Sequence, residues 1–275
     1  MRISVSNIAW NSSEDGVVAN LLARFDVNAI DVAPGKYFHN PKLATTDEII
    51  RIRDWWLTRG IEIVGMQALL FGTNGLNLFG SEKVRRDMLT HLEVICSIGA
   101  NLGAKNLVFG SPRNRDRTGL SDDVARAISI DFFGALGDMA SQFGINVCLE
   151  PNPACYGSNF MTNTIDTARV VSAVAHPAIR MQLDTGAITI NNEDLDLVIN
   201  EYADLIGHIH ASEPDLVTLG DGGVNHAAMG KSINKNMPEK IVSIEMLPSK
   251  HESNSCALER ALRLAIDNYR SPTID

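Results

Sequence analysis

The chain has 275 residues, of which 45% are hydrophobic and 21% charged, and its formal net charge is -9. An acidic chain with interleaved acids and bases is a poor partner for nucleic acid, whose binding depends on neutralising phosphates. No stretch approaches the roughly 20 apolar residues that a membrane helix requires, so we expect neither a nucleic-acid nor a membrane partner.

The cysteines are too few and too scattered for a disulfide framework or a zinc knuckle. They are Cys96, Cys148, Cys155 and Cys256. The first residues, Met1 to Val5, have a strand pattern, and Asn7 and Trp10 interrupt it before a signal-peptide apolar region forms. We therefore expect a cytoplasmic protein with reduced thiols.

Short apolar or β-branched runs alternate with longer segments of helical periodicity, which is typical of parallel strands joined by crossover helices. The eight predicted strands are Ile3 to Ser6, Ala29 to Ala33, Glu62 to Met66, Asn106 to Phe109, Ile145 to Leu149, Arg180 to Leu183, Ile206 to Ile209 and Ile241 to Ile244. The predicted helices cover roughly 14–25, 46–59, 81–102, 121–143, 162–175, 194–204, 226–234 and 256–269. Ser81 and Ser121, each followed by acids, are the expected N-caps of the third and fourth helices.

This alternation predicts a closed (β/α)8 barrel. Strand starts recur every 26 to 44 residues, and most strands are apolar on both faces. An open doubly wound sheet is the alternative, but no glycine-rich phosphate loop follows the first strand. We expect one domain over residues 1–275, because α/β barrels commonly reach about 250 residues as a single unit.

Four of the predicted strands end in a carboxylate or an imidazole. Glu150, Asp184, His210 and Glu245 follow strands five to eight at the same level, and reacting groups of α/β barrels lie at the C-terminal strand ends. Three carboxylates so close together would repel one another unless a cation compensated them. Three oxygen ligands and one nitrogen suit Mn, Mg or Co, and a tighter site would also accept Zn, which otherwise prefers more histidine or cysteine.

A single acid after a strand is more often a helix N-cap or a solvated loop residue than a metal ligand. Four such residues in register on consecutive strands favour the ligand interpretation. The sequence therefore predicts one divalent metal ion at the barrel mouth.

The motifs around these residues resemble the xylose isomerase-like, sugar phosphate isomerase/epimerase superfamily of barrels, which includes apurinic endonucleases and dehydratases. The resemblance spans nearly the whole chain. It implies that all four residues bind the metal and that Glu150 and Glu245 also exchange a proton with the substrate. The motifs are Leu-Glu-Pro-Asn-Pro at 149–153, Leu-Asp-Thr-Gly at 183–186, His-Ile-His-Ala-Ser-Glu-Pro at 208–214 and Ser-Ile-Glu at 243–245.

The chain departs from the ketose 3-epimerase branch at two positions. Ala187 stands where a histidine usually follows the aspartate, and Leu216 stands where that branch has an arginine. Isomerase, epimerase and lyase chemistry all stay open.

Several other side chains are candidates around the mouth. His226 lies in a glycine-rich loop after strand seven and is a candidate acid or base, or else a packed helix-start residue. Lys36 and Gln67 follow strands two and three, where the superfamily contacts substrate, although a loop lysine is more often solvated. Arg113, in a loop with Arg115 and Arg117, is a candidate anion contact or a surface ion-pair partner.

His208 lies one layer deeper than His210 on the same side of its strand, because side chains alternate between the two faces of a strand. We count it with the substrate-binding candidates. It is also a candidate to orient His210, or a satisfied core histidine.

The favoured function is a metal-dependent isomerase or epimerase that acts on a small sugar, keto-sugar or polyol-derived molecule by proton transfer at a metal-bound enediolate. The alternative is a hydro-lyase or eliminase that uses the same metal and base on a keto-sugar or cyclic acid. A phosphodiester hydrolase and a sugar-binding barrel without chemistry are further alternatives. Assembly into a homo-oligomer and phosphorylation of the substrate stay open, because specificity resides in loops.

Overall fold

The computed structural model of the protein describes residues 1–270, and residues 271–275 of the predicted domain lie outside that description. Its eight parallel strands close into a barrel in the order β1 to β8, with β8 pairing with β1. The predicted (β/α)8 barrel is thereby confirmed, and the open doubly wound sheet is excluded. The strands are β1 (Arg2–Ser6), β2 (Ala29–Val32), β3 (Glu62–Met66), β4 (Asn106–Phe109), β5 (Asn146–Leu149), β6 (Ile179–Asp184), β7 (Ile206–Ser212) and β8 (Ile241–Glu245).

Helices surround the strands, and the predicted ones are found with end shifts of a few residues. The structure adds one short helix, α6, which the periodicity did not predict. None of the helices within residues 1–270 is long and apolar enough to cross a bilayer. The helices are α1 (Asp15–Arg24), α2 (Thr46–Leu57), α3 (Glu82–Leu102), α4 (Asp122–Gln142), α5 (Thr164–Val174), α6 (Thr185–Ile190), α7 (Leu195–Tyr202), α8 (His226–Asn236) and α9 (Asn254–Tyr269).

The predicted N-caps of α3 and α4 are confirmed. The hydroxyl of Ser81 accepts a hydrogen bond from the Val84 N–H, and the hydroxyl of Ser121 accepts one from the Val124 N–H. Each cap satisfies a backbone donor that the first helical turn leaves unpaired.

Helix α6 was missed because its six residues are too few for a periodic pattern, and β-branched residues are weak helix formers. Its start is fixed by Asp184, whose Oδ1 accepts a hydrogen bond from the Ala187 N–H at 2.6 Å. Asp184 is therefore a helix N-cap as well as a member of the strand-end arc.

The main hydrophobic core lies between the strands and the surrounding helices. Phe109 of β4 packs edge-to-face on Phe133 of α4 with ring centroids 5.4 Å apart, and Trp56 of α2 is fully buried against Trp10. Inside the barrel the lining includes several buried polar side chains. These are Ser4, Asp31, Gln182, His208, His210 and Ser243.

Candidate metal centre

The four predicted ligands meet at the C-terminal mouth of the barrel. Each of Glu150, Asp184, His210 and Glu245 offers one ligand atom, and these atoms all lie within 4.8 Å of one another. Nδ1 of His210 is 3.3 Å from Oε1 of Glu150 and 3.2 Å from Oε2 of Glu245. The sequence-predicted arc is therefore a compact cluster in which both glutamates approach the same nitrogen of the imidazole.

Strand register explains this convergence. In the parallel barrel, Asp184 of β6 pairs with His210 of β7, and Ser212 of β7 pairs with Glu245 of β8. Because side chains alternate between the two faces of a strand, residues 208, 210 and 212 point to the same side. Asp184 and His210 are thus level with each other, and Glu245 lies one inward position further along its strand, so the three side chains converge at the barrel mouth.

The charges of the cluster favour a bound cation. Burial and the nearby carboxylates of Glu245 and Glu150 raise the pKa of Asp184 to about 7. Burial opposes the charged form of His210, but the same two glutamates raise its pKa well above the usual value for histidine. An aspartate and an imidazole that hold protons so tightly are stabilised when a divalent cation replaces those protons.

The geometry fits such an ion. Ligand atoms bound about 2.1 Å from one metal lie about 3.0 to 3.4 Å apart when they are adjacent. The two distances from His210 Nδ1 to the glutamates, 3.3 and 3.2 Å, fall in this range. Gly110 leaves the space for Glu150, because a Cβ at position 110 would lie 1.9 Å from Oε2 of Glu150.

Hydrogen bonds fix two of the acids in place. Oδ2 of Asp184 accepts a hydrogen bond from the Ser212 hydroxyl at 2.7 Å, in addition to the Ala187 N–H bond on Oδ1. Oε1 of Glu245 accepts one from the Gln67 amide at 2.6 Å. Such partners orient ligands and limit the oxygen lone pairs that face a metal.

A second buried pair lies one layer beneath the cluster. Nε2 of His208 is 2.5 Å from Oδ2 of Asp31, and both side chains are essentially inaccessible to solvent. Burial opposes ionisation of Asp31, but His208 lowers its pKa below the ordinary value for an aspartate. Nε2 of His210 lies 3.9 Å from the same carboxylate. The Nε2 atom of His210 thus faces this pair without a hydrogen bond to it.

A cavity of about 980 Å³ opens above the cluster. Glu150, Asp184 and Glu245 line it, and the side chains of Glu150 and Glu245 are 13% and 10% exposed. Pockets of about 300–1,000 Å³ accommodate drug-sized ligands, so this cavity is at the upper end of that range.

Two of the predicted substrate contacts line the cavity. Gln67 does so beside Glu245, and its buried Oε1 has no hydrogen-bond partner. Lys36 also lines it, with its ammonium donating to the Trp10 carbonyl at 2.5 Å. Burial lowers the pKa of Lys36, although Asp15 and Glu14 oppose this shift.

The other three candidates do not reach the cavity. Arg113 is exposed on the loop after β4, and His208 is bound to Asp31 below the ligands. His226 is buried between Glu213, 3.0 Å from its Nε2, and Tyr269, 2.6 Å from its Nδ1.

Glu213 is a buried hydrogen-bond acceptor for several groups of the following loop, and the sequence did not predict this role. Its carboxylate accepts hydrogen bonds from His226 and from the N–H groups of Gly220 and Val224. Burial opposes its ionisation, but these hydrogen bonds hold its pKa below the ordinary value. Glu213 thereby closes the loop from 213 to 226 on itself.

Arg115, in contrast to Arg113, turns inward. Its guanidinium is fully buried and donates to the carbonyl oxygens of Glu150 and Gly110 at 2.7 and 3.0 Å. Burial lowers its pKa to about 10, and Glu150 opposes the shift. The alternation along β7 would have identified Ser212 as an inward residue, but nothing in the sequence distinguishes Arg115 from its neighbours.

The protein is thus a closed (β/α)8 barrel in which three carboxylates and one imidazole meet at the strand ends, beneath an open cavity, in an arrangement that could hold a metal ion. The chain belongs to the xylose isomerase-like TIM barrel family, whose model matches residues 19–268. The family resemblance inferred from the four strand-end motifs is thereby confirmed.

Solved structures of similar shape are sugar-modifying enzymes and a metal-containing barrel. A D-psicose 3-epimerase studied with D-fructose has a TM-score of 0.81 and 18% identity over 98% of this chain and 100% of its own. A 3-keto-D-glucoside 4-epimerase from E. coli has a TM-score of 0.78 and 17% identity over 96% and 98%. The IOLI protein, which contains zinc, has a TM-score of 0.75 and 16% identity over 98% of both chains. No curated protein sequence gave a significant match.

Proposed function

We propose that the protein is a divalent-metal-dependent isomerase or epimerase that moves a proton next to a carbonyl group of a small sugar or keto-sugar. The observation that carries the proposal is the convergence of Glu150 and Glu245 on Nδ1 of His210, at 3.3 and 3.2 Å, with both carboxylates open to the cavity. The sugar epimerases among the structural neighbours support it.

The residues of the cluster have different tasks in this proposal. Both oxygens of Asp184 are engaged by Ser212 and Ala187, so this side chain is a fixed ligand. Glu150 and Glu245 also hold the ion, and they approach the cavity from different strands. An epimerase needs a carboxylate on each side of the reacting carbon, one to remove the proton and one to return it.

A bound divalent ion would polarise the substrate carbonyl and acidify the adjacent C–H. The Mn, Mg or Co preference, with Zn in a tighter site, follows from the three oxygens and one nitrogen. Gln67 contributes the buried Oε1 that lacks a partner, an acceptor for a substrate hydroxyl. The one-domain organisation and the cytoplasmic location expected from the sequence remain part of this proposal.

The test is solvent-proton exchange by metal-loaded protein. A panel of ketoses and keto-sugars is incubated in deuterated water, and the proposal expects deuterium at one carbon next to the carbonyl. Glu150→Gln should lower the exchange rate by about 10²- to 10⁴-fold, as expected for loss of a general base. Metal content measured on the same samples separates loss of the base from loss of the ion.

Release of water from the substrate with formation of an enone absorbance would instead assign the hydro-lyase reaction. Absence of exchange over the whole panel, with the metal present, would contradict the proposal.

A further inference from the structure

The cavity above the cluster has an apolar outer part that a free sugar does not explain. Four large side chains on different loops form it, and we call them the apolar rim: Phe71, Tyr156, Leu216 and Leu247. Phe71 is 83% exposed, more than any other large hydrophobic residue of the described chain, and Leu247 is 47% exposed. Large apolar groups exposed around a concave site mark the place where apolar ligand surface is buried.

The rim surrounds the mouth on two sides. Phe71 follows β3, whereas Leu216 follows β7, and three strands lie between these two positions in either direction around the closed barrel. On the second side the members are joined, since the Leu247 N–H donates to the Leu216 carbonyl at 2.8 Å. The Asp215 N–H also donates to the Tyr156 hydroxyl at 2.7 Å. A ligand group between Phe71 and Leu216 would therefore lie across the mouth, directly outside the metal cluster.

The backbone that carries the rim is held in uncommon conformations. Asp215 and Leu216 have φ values of 58° and 52°, and Ala68, three residues before Phe71, has a φ of 55°. Non-glycine residues adopt this left-handed region at an energetic cost, and they keep it where the surroundings enforce it. On the second side, the hydrogen bonds from the Leu247 N–H to the Leu216 carbonyl and from the Asp215 N–H to the Tyr156 hydroxyl supply that constraint. That side of the rim is thus preorganised.

Positive charge is scarce in the cavity. Among the described residues that line it, Lys36 and His39 are those with basic side chains. The Lys36 ammonium is already bonded to the Trp10 carbonyl, and its charge faces Glu14 and Asp15. Arg113 and Arg115 do not line the cavity. A phosphate or carboxylate group would therefore lack the paired guanidinium or ammonium donors that such anions require.

We propose that the substrate is a neutral molecule with two parts: a polyhydroxylated head that carries a carbonyl group and an aryl or alkyl substituent, as in a glycoside whose sugar ring carries a ketone and whose aglycone is apolar. The head lies at Glu150, Asp184 and Glu245, and the substituent lies between Phe71 and the Leu216–Leu247 side of the rim. This inference rests on the proposed function for the identity of the head, and it adds the size, charge and polarity of the remainder.

Binding tests the inference without requiring turnover. For each of several hexoses that carry a ring ketone, the methyl glycoside, the phenyl glycoside and the 6-phosphate of the methyl glycoside are titrated into manganese-loaded protein by calorimetry. The phenyl glycoside of at least one hexose should bind about tenfold or more tightly than its methyl counterpart, because the ring buries additional apolar surface. The 6-phosphate should show no gain over the methyl glycoside.

Two variants localise the effect. Phe71→Ser should reduce the phenyl-over-methyl ratio to about threefold or less, because it removes one side of the rim. Leu43→Ser removes a similarly exposed side chain, 74% exposed and outside the cavity, and should keep the parent ratio. Both sites are exposed, so neither change is expected to prevent folding.

The outcomes separate this inference from the proposed function. Tight phenyl binding without proton exchange would contradict the proposed function and support the two-part ligand. Proton exchange on free sugars with equal binding of phenyl and methyl glycosides would overturn the inference alone. Equal binding together with an oligomer that Phe71→Ser converts to monomers would also overturn it, and would assign the rim to contact between copies of the chain.

Discussion

Replacement of Gly110 by alanine tests whether the cluster is built to hold an ion. A Cβ at this position would lie 1.9 Å from Oε2 of Glu150, and real Cβ atoms essentially never approach closer than 3.0 Å. The carboxylate oxygen must therefore move by at least 1.1 Å. Metal–ligand bonds tolerate deviations of about 0.2 Å, so Gly110→Ala should remove Glu150 from coordination.

The expected effect is a large loss of metal affinity with little loss of stability. Loss of a side chain that merely supports a metal ligand lowers metal affinity by about 10- to 100-fold. We expect Gly110→Ala to lower it by about 100-fold or more, which corresponds to about 2.7 kcal/mol. The clash involves the end of a flexible side chain, so the free energy of unfolding should change by no more than about 1 kcal/mol. Competition between the protein and a chelating dye for Mn²⁺ or Zn²⁺ measures the affinity, and urea unfolding measures the stability.

Gly134→Ala is the matched control. Gly134 lies within α4, and an added Cβ there would have no neighbour within 4 Å. This variant should keep the parent metal affinity and raise the free energy of unfolding by about 0.5–1 kcal/mol, because alanine favours the helix over glycine. If Gly110→Ala bound metal within about threefold of the parent, Glu150 would not be a ligand and the assignment of the cluster would be refuted.

Two further predictions concern protons and the loop from 213 to 226. Because the metal-free cluster raises the pKa of Asp184 to about 7 and that of His210 well above its usual value, bound protons compete with the ion. As the pH drops below about 7, metal affinity should therefore fall by about tenfold per pH unit for each proton that the metal displaces. Calorimetry in buffers of different ionisation enthalpy would count those protons. An affinity independent of pH from about 5.5 to 7 would contradict the assigned pKa shifts. His226→Ala should lower the free energy of unfolding by about 2–3 kcal/mol at neutral pH and leave metal affinity unchanged, because it removes a buried partner of Glu213. Since the pKa of Glu213 is lowered, this stabilisation is present above about pH 4.5 and is lost as the pH falls further; unchanged stability with lost turnover would instead support the catalytic role predicted for His226 from sequence.

The barrel and the position of its acidic cluster could be predicted because both depend on local patterns that repeat along the chain. Strands buried on both faces read as short apolar runs, and the residue that ends each run lies at the mouth. The positions of Asp184, His210 and Glu245 at the mouth follow from this rule alone. Helix α6 was not predicted, because its start depends on a side-chain cap by Asp184 and not on periodicity.

Loop side chains could not be predicted in the same way. Arg113 and Arg115 are two residues apart in one loop, yet Arg113 is exposed and Arg115 is buried against the carbonyl oxygens of Gly110 and Glu150. The direction of the Arg115 side chain depends in part on a backbone acceptor at Glu150, 35 residues further along the chain. His226 shows the same limit, because its partners Glu213 and Tyr269 come together only in the folded chain.

The cluster and the apolar rim are linked through one segment, which connects the proposed chemistry to the proposed specificity. Ser212 donates to Asp184, and the next residue, Glu213, accepts the hydrogen bonds that close the loop carrying Leu216. The Leu216 N–H donates to the Glu213 carbonyl at 3.0 Å, and its own carbonyl accepts from Leu247, two residues after Glu245. A change that loosens Glu213 should therefore weaken discrimination by the rim before it affects the ion, because Asp184 and Glu245 also have partners of their own on α6 and at Gln67.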